Sequence, residues 1–403
     1  MGQQSIKQVC FFTDEKAKRF KPLTLSRPLD DLRIGIYTIR QKWMRKLGVN
    51  VFSRLLPEYL SGVFPNTPVE REAPVLWINS RFLPSENLVT AIRSLEKGEK
   101  LLFKGDTVAA MIAGKPSKQM FDRNVFSGEG LSPKETEDLI YLENLWDLLI
   151  LNSYEIEKDI PLTGLKAVSE TESKLEANIT DPQNTFVADN VEIESGVQIL
   201  SKDGPVVIME GAHIESGSIL RGPVVIGKGA TVKMMARIYG GTTIGPVCKV
   251  GGEVSNCIFH SYSNKAHDGF VGNSIFGQWV NLGADTNTSN LKNNYSTVRI
   301  TDWNTKKEVE TEAQFLGTIM GDHSKTAINT MLNTGTICGV SSNIFMSGFP
   351  PKYIPSFSWV GSEEYGVYEF DKAVEAMKAM MKRRDIELTE AYKKMMNHHY
   401  KKR

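Results

Sequence analysis

Apolar positions in the first 165 residues follow the rhythms of strands and helices in alternation. "QVCFFTD" is a short apolar run read as a first strand. "LDDLRIGIYTIRQKWMRKLG" puts Leu32, Ile36, Ile39 and Trp43 on one helical stripe, with Gly48 as the stop. "APVLWINSRF" predicts a second buried strand, and "SENLVTAIRSLEKGE" a helix capped by Ser85. "EKLLFKGDTVAAMIAG" reads as two further strands turning near Gly105-Asp106. "SPKETEDLIYLENLWDLLILNSYEIEKDI" reads as a capped helix running out toward a polar linker. The pattern predicts an α/β domain over residues 1–165.

A different rhythm starts near residue 180. Aliphatic residues recur every six positions at Ile208, Ile214, Leu220, Ile226, Val232, Ile238, Ile244 and Val250. After a two-residue slip, Ile258, Phe270, Phe276 and Leu282 keep the step, and Ile319, Met331 and Ile337 return to it. A period of six is neither 3.6 nor 2; it marks a parallel β-helix whose hexads each form one side of a triangular coil. The aliphatic residue fills a narrow interior, small residues and glycine allow the corners, and stacked coils share one core. An irregular β-sandwich with chance spacing is the competing architecture. "STVRITDWNTKKEVETEAQF" breaks the period, as an excursion between coils would. The β-helix is expected over 180–355, followed by a helical tail over 364–403 with a stripe through Val374, Met377 and Met381. That Met-rich stripe suits packing on the chain's own β-helix or on another subunit.

Composition narrows the class. The chain has 403 residues and a formal net charge of +1, so no Lys/Arg excess argues for nucleic acid as a partner. No run of about 18 apolar residues appears, the N-terminus lacks an apolar signal core, and Ile6 spoils the myristoylation pattern begun by "MGQQS". Cys10, Cys248, Cys257 and Cys338 form no CxxC pair and read as small buried residues of a reducing cytoplasm. A cytoplasmic protein with no membrane partner is the expectation.

The stretch "SNKAHDGFVGNSIFGQWVNLGA" carries a resemblance. Glu253-Val254, "SNKAH" ending at His267, Asn281-Leu282-Gly283-Ala284 and Asn290 stand at matching spacings. On these motifs the chain resembles the bacterial bifunctional enzymes that acetylate glucosamine-1-phosphate and then uridylylate it. It resembles still more the archaeal sugar-1-phosphate nucleotidylyltransferases with an acetyltransferase β-helix. The resemblance covers residues 180–350. It implies a left-handed β-helix that assembles as a homotrimer, with acetyl-CoA in the groove between subunits.

The chemistry suits those residues. Moving an acetyl group from a thioester to a sugar amine needs a base of near-neutral pKa, and His267 is the candidate with matched surroundings. Its plainer reading is a polar corner residue, as it is for His260 and His323. By the resemblance, the Ala284 N–H would hold the oxyanion. Asn281 and Asn290 would hold the sugar, Lys292 and Arg299 its phosphate, and Lys325 and Thr326 the acetyl-CoA. Ser255 and Phe270 replace a lysine and a tyrosine of the family pattern, which points away from glucosamine-1-phosphate itself.

The N-terminal half resembles the nucleotidyltransferase domain of the same enzymes through Pro22-Leu23-Thr24 and Arg27-Pro28. Its loop "FFTDEKAKRFK" holds no glycine, leaving Arg19, Lys21 and Arg27 as the candidate nucleotide-phosphate contacts. Where the family has a Mg²⁺-binding Gly-Asp, this chain has Asn79-Ser80, poor ligands; Asp106 is a substitute ligand or merely a turn residue. No metal site is assigned. Acetyl transfer to an amino sugar phosphate or nucleotide-linked amino sugar is the leading expectation. The alternatives are a Mg²⁺-dependent sugar-1-phosphate nucleotidylyltransferase using UTP or dTTP, and a silent sugar-nucleotide-binding scaffold trimer.

Overall fold

Residues 177–360 wind into a parallel β-solenoid. One face is a nine-stranded parallel sheet from Thr185–Val187 to Tyr353–Ile354, and a second is six-stranded, from Ala177–Ile179 to Phe270–Gly272. The third runs from Glu192–Ile193 to Asn264–Lys265 and continues through single bridges at Asn281 into Lys325–Thr326. The computed structural model describes residues 6–69, 73–113, 116–122, 125–171, 176–362 and 364–403. Residues 1–5, at the start of the N-terminus weighed above for a signal or lipid anchor, and the linker residues 172–175 lie outside them.

Two compact units are present: residues up to 20 with 27–32 and 37–145, and residues 21–26 and 33–36 with 146 onward. In the first, Gln8–Phe12 pairs in parallel with Val51–Arg54 and Pro74–Asn79. Asp106–Ala113 joins antiparallel to Pro74–Asn79 and to Glu99–Phe103, beside which Ser132–Glu135 runs parallel to Glu99–Phe103. This is a Rossmann-type mixed sheet. The helix Glu86–Arg93 starts at Ser85, whose hydroxyl accepts from the Leu88 N–H, as expected.

Two helical expectations are corrected. The stripe beginning at Leu32 becomes helical only at Ile39–Leu47, where Thr38 and Gln41 form a reciprocal capping box. Before it, Gly35 turns the chain at φ +66°, a conformation that interrupts a helix. The run from Ser132 is first a strand, Ser132–Glu135, because it completes the sheet edge. Helix appears only at Asp147–Ile150 and Asn152–Thr163.

Inside the solenoid, register stacks like on like: Ile208, Ile226, Ile244, Phe259 and Phe276 in one column, Leu220, Ile238, Val254 and Val271 in another. All eight residues expected inside from Ile208 to Val250 are buried there. Beyond Val250 the phase differs from expectation. The interior residues are Phe259, Val271, Met320, Leu332 and Cys338 rather than Ile258, Phe270, Ile319, Met331 and Ile337. The corner at Gly251-Gly252 shortens the step to Val254, and these five positions move by one, onto the opposite side of their strands, while Phe276 and Leu282 lie inside as expected. The excursion between coils is an antiparallel ribbon, Arg299–Thr301 with Glu308–Glu310.

The tail helix Phe370–Lys382 buries Ala373, Met377 and Met381, and Glu390–Lys401 follows it. Both pack on the chain's own solenoid: the Tyr400 ring meets Phe357 edge-on at 5.2 Å, and Tyr392 Oη lies 2.9 Å from His323 Nε2. Among the described residues no helix is long and apolar enough to cross a membrane. Cys248, Cys257 and Cys338 line the solenoid core, and burial pushes each thiol up to about 12.

Candidate active-site groove and acidic crevice

The third face of the solenoid carries an outward row of polar residues on successive coils: Lys249, Asn264, Asn281 and Lys325. These line a cavity of about 670 Å³ together with His267 and Ala284. The two corners stack directly, since the Asp285 N–H donates to the Asp268 carbonyl at 3.0 Å. His267 is exposed and also faces a second hollow, of about 580 Å³, on the other side of its corner.

Glycine makes the upper corner possible. A Cβ on Gly283 would lie 2.4 Å from the Ala327 carbonyl, so only glycine lets these coils close. Thr326, assigned by resemblance to the cofactor, is buried instead at this corner: its hydroxyl accepts from the Gly283 N–H at 3.0 Å and meets Thr286 Oγ1 at 2.7 Å.

The cavity is cationic. Lys249, Lys325, Arg383 and Arg384 line it, and no carboxylate does among the described residues. Arg383 and Arg384 come from the end of the tail helix, where Arg384 Nη2 donates to Asn264 Oδ1 at 3.3 Å. Burial holds the Lys325 ammonium down at about 8, while its Nζ donates to the His323 carbonyl at 3.0 Å. Burial, then the neighbouring Arg384, lowers Lys249 too. Tyr262 and Trp279, stacked at 4.4 Å and 12°, form an aromatic wall at one end.

Four residues singled out in the sequence, His267, Ala284, Asn281 and Lys325, are thus gathered. Asn290, Lys292 and Arg299 are not brought to this cavity. The Asn290 amide donates to Asn273 Oδ1 at 2.7 Å, the Lys292 ammonium to the Thr297 carbonyl at 3.0 Å, and Arg299 lies on the exposed ribbon. Arg383, Arg384 and Lys265 were not foreseen. Lys265 occupies an interior position, in register with Val250, and its Nζ donates to the carbonyls of His267 and, at 2.9 Å, Asp268.

The N-terminal unit has its own crevice, of about 690 Å³, at the carboxyl ends of its parallel strands, where open α/β sheets bind ligands. Asp14, Lys16 and Asp106 line it. Behind them lies Arg81, wholly buried, which donates to both oxygens of Asp14 at 2.6–2.9 Å and to Asp106 at 2.7 Å. Asp106 is therefore more than a turn residue. Burial raises its carboxyl, but hydrogen bonds from Lys16 and Arg81 outweigh that and hold it below the usual range. Of the candidate phosphate contacts, Arg19 pairs with Glu143. Arg27 is buried against Asp31 at 2.9 Å, and Lys21, in the other unit, donates to Asn304 at 3.1 Å.

Fold and sites together define an α/β nucleotidyltransferase-like unit with a hexapeptide β-solenoid. Residues 9–167 match the model of the sugar nucleotidyl transferase family. The chain resembles the bifunctional sugar-1-phosphate nucleotidylyltransferase/acetyltransferases, with a shortened N-terminal domain. It is 33% identical to the one from Sulfurisphaera tokodaii over 40% of this chain and 37% of that protein. It is 29% identical to the bifunctional protein GlmU of Methanococcus aeolicus over 55% of this chain and 53% of that one. The matches thus span about half or less of these relatives' length. Among solved structures, a UDP-N-acetylglucosamine acyltransferase from Campylobacter jejuni aligns over 56% of this chain and 94% of its own. That alignment has 16% identity and a TM-score of 0.29, too low to bear on function.

Proposed function

We propose that the chain is an acetyl-CoA-dependent acyltransferase that acts on an amino sugar phosphate or a nucleotide-linked amino sugar, in nucleotide-sugar biosynthesis. The observation that carries this reading is the cavity itself: an exposed imidazole beside a glycine corner, ringed by four cations and no carboxylate among the described residues. Acetyl-CoA and a sugar phosphate are both polyanions, and Lys249, Lys325, Arg383 and Arg384 suit them. His267 takes the proton of the attacking amine, the Ala284 N–H holds the developing oxyanion, and Asn281 orients the sugar. Lys325 contacts the cofactor's phosphates.

The working form is a cytoplasmic homotrimer. Met234 and Ile328, 62% and 68% exposed, line the second hollow beside His267, an apolar surface suited to a neighbouring copy. Incubating the full chain with acetyl-CoA and a panel of amino sugar phosphates and nucleotide-linked amino sugars tests the reading by free thiol release and N-acetyl product. Transfer to at least one is expected. If none is acetylated while sugar nucleotides still raise Tm, the scaffold reading takes its place. Light scattering that reports a monomer would remove the shared groove.

A further inference from the structure

The acidic end of the N-terminal sheet already holds a cation of its own. Three carboxylates, Asp14, Asp106 and Glu143, converge on the Arg81 guanidinium, with Glu143 Oε2 at 3.2 Å from Nη1. The remaining Nη1 contact goes to the Leu142 carbonyl at 3.0 Å. Lys16 adds a second positive charge, 2.8 Å from Asp106 and 3.7 Å from Glu143, and Arg19 a third on Glu143. Asn79, which stands where the family carries a metal-binding turn, donates its amide to Asp14 at 2.8 Å, as an amide does and a metal ligand would not. Three negative charges therefore face three positive ones. Among the described residues no group of three or more His, Cys, Asp or Glu is arranged to hold a metal ion. The residues present do not fit Mg²⁺.

We infer that Arg81 is a resident cation that occupies the place of a divalent metal in this crevice, so that the N-terminal unit is charge-balanced without Mg²⁺. A guanidinium stays charged at any accessible pH and presents a rigid fork of donors, which suits several carboxylates at once. Buried with its partners it is also hard to displace, because removing it would leave carboxylates facing one another in a partly desolvated site. A metal entering from solvent would have to shed its water to meet carboxylate oxygens that already accept hydrogen bonds.

The test uses Mn²⁺ as the probe, followed by loss of its free-ion electron paramagnetic resonance signal on the full chain. Native protein is expected to leave Mn²⁺ free, and Asp106→Asn to change nothing. Arg81→Met removes the charge while keeping an apolar stem. It should raise Mn²⁺ affinity at least about tenfold by exposing the carboxylate set, and adding Asp106→Asn should abolish that gain. One Mn²⁺ bound per native chain and lost in Asp106→Asn overturns the inference. So does a folded Arg81→Met protein that gains no affinity. If Arg81→Met does not fold, the native titration with its Asp106→Asn control decides alone.

Discussion

The Lys265 ammonium, enclosed in the solenoid where neighbouring coils carry aliphatic side chains, donates to the backbone carbonyl of His267, whose own ring faces solvent. An interior charge thereby pins the corner from which the candidate base projects. Burial holds this ammonium down at about 8, against 10.5 in its ordinary state. Between those values the unfolded chain binds the proton that the folded chain releases, so stability rises with pH across that window. Below pH 8 the charged form costs roughly 3 kcal/mol relative to the neutral one, from about 1.36 kcal/mol per pH unit. Denaturant melts of Lys265→Met and the parent should show the parent gaining on the variant from pH 8 to 10.5. A constant difference would mean that the lysine is not titrating inside the coil.

His267→Ala should fold as the parent does, since the imidazole is exposed and carries little packing. Loss of a general base lowers acetyl transfer about 10²- to 10⁴-fold. Rates with acetyl-CoA and the best acceptor, alongside circular dichroism, check this; equal rates would make the histidine only a corner.

Arg384→Ala removes a cation from the cavity wall and its hydrogen bond to Asn264. A charge-assisted contact is worth about 1.5–3 kcal/mol, so KM for the anionic substrate should rise by about tenfold or more with kcat little changed. Steady-state kinetics at two ionic strengths separates this from a folding defect, because screening shrinks the difference only if charge is the cause.

Gly283→Ala puts a methyl group 2.4 Å from the Ala327 backbone, which cannot yield as a flexible side chain would. Overpacking of this kind costs about 1–3 kcal/mol. The Tm should fall and acetyl transfer with it, through displacement of Ala284. An unchanged Tm would show that the two coils can part without penalty.

Much of this architecture is legible from residue spacing, because a solenoid repeats one local rule. From Ile208 to Val250 every coil side has the same length, so counting by six finds the interior. Gly251-Gly252 shortens one corner, and counting then reads Ile258 and Phe270 in place of Phe259 and Val271. The same slip conceals Lys265 as an interior residue. His267, Ala284, Asn281 and Lys325 meet because coils stack neighbours at fixed spacing. Arg383 and Arg384 reach the cavity only through tertiary docking of a distant helix, which no local spacing encodes. Arg81 belongs to no motif; its role comes from three carboxylates brought together at one end of a sheet.

The ribbon that interrupts the solenoid is closed at its neck. Leu316 N–H donates to the Asn290 carbonyl at 2.9 Å, and Leu291 bridges to Phe315, while below it Phe276 stays in register with Met320. The coils therefore register the loop, whatever its length, as a single step along the ladder. The ribbon is docked on the coils, with Val298 buried and the Trp303 ring 5.3 Å from Tyr353, so it is at its exposed positions that the loop can be rewritten during descent without renegotiating the core. Lys292 and Arg299 ride on it, so a change of side chains at this edge requires no new scaffold.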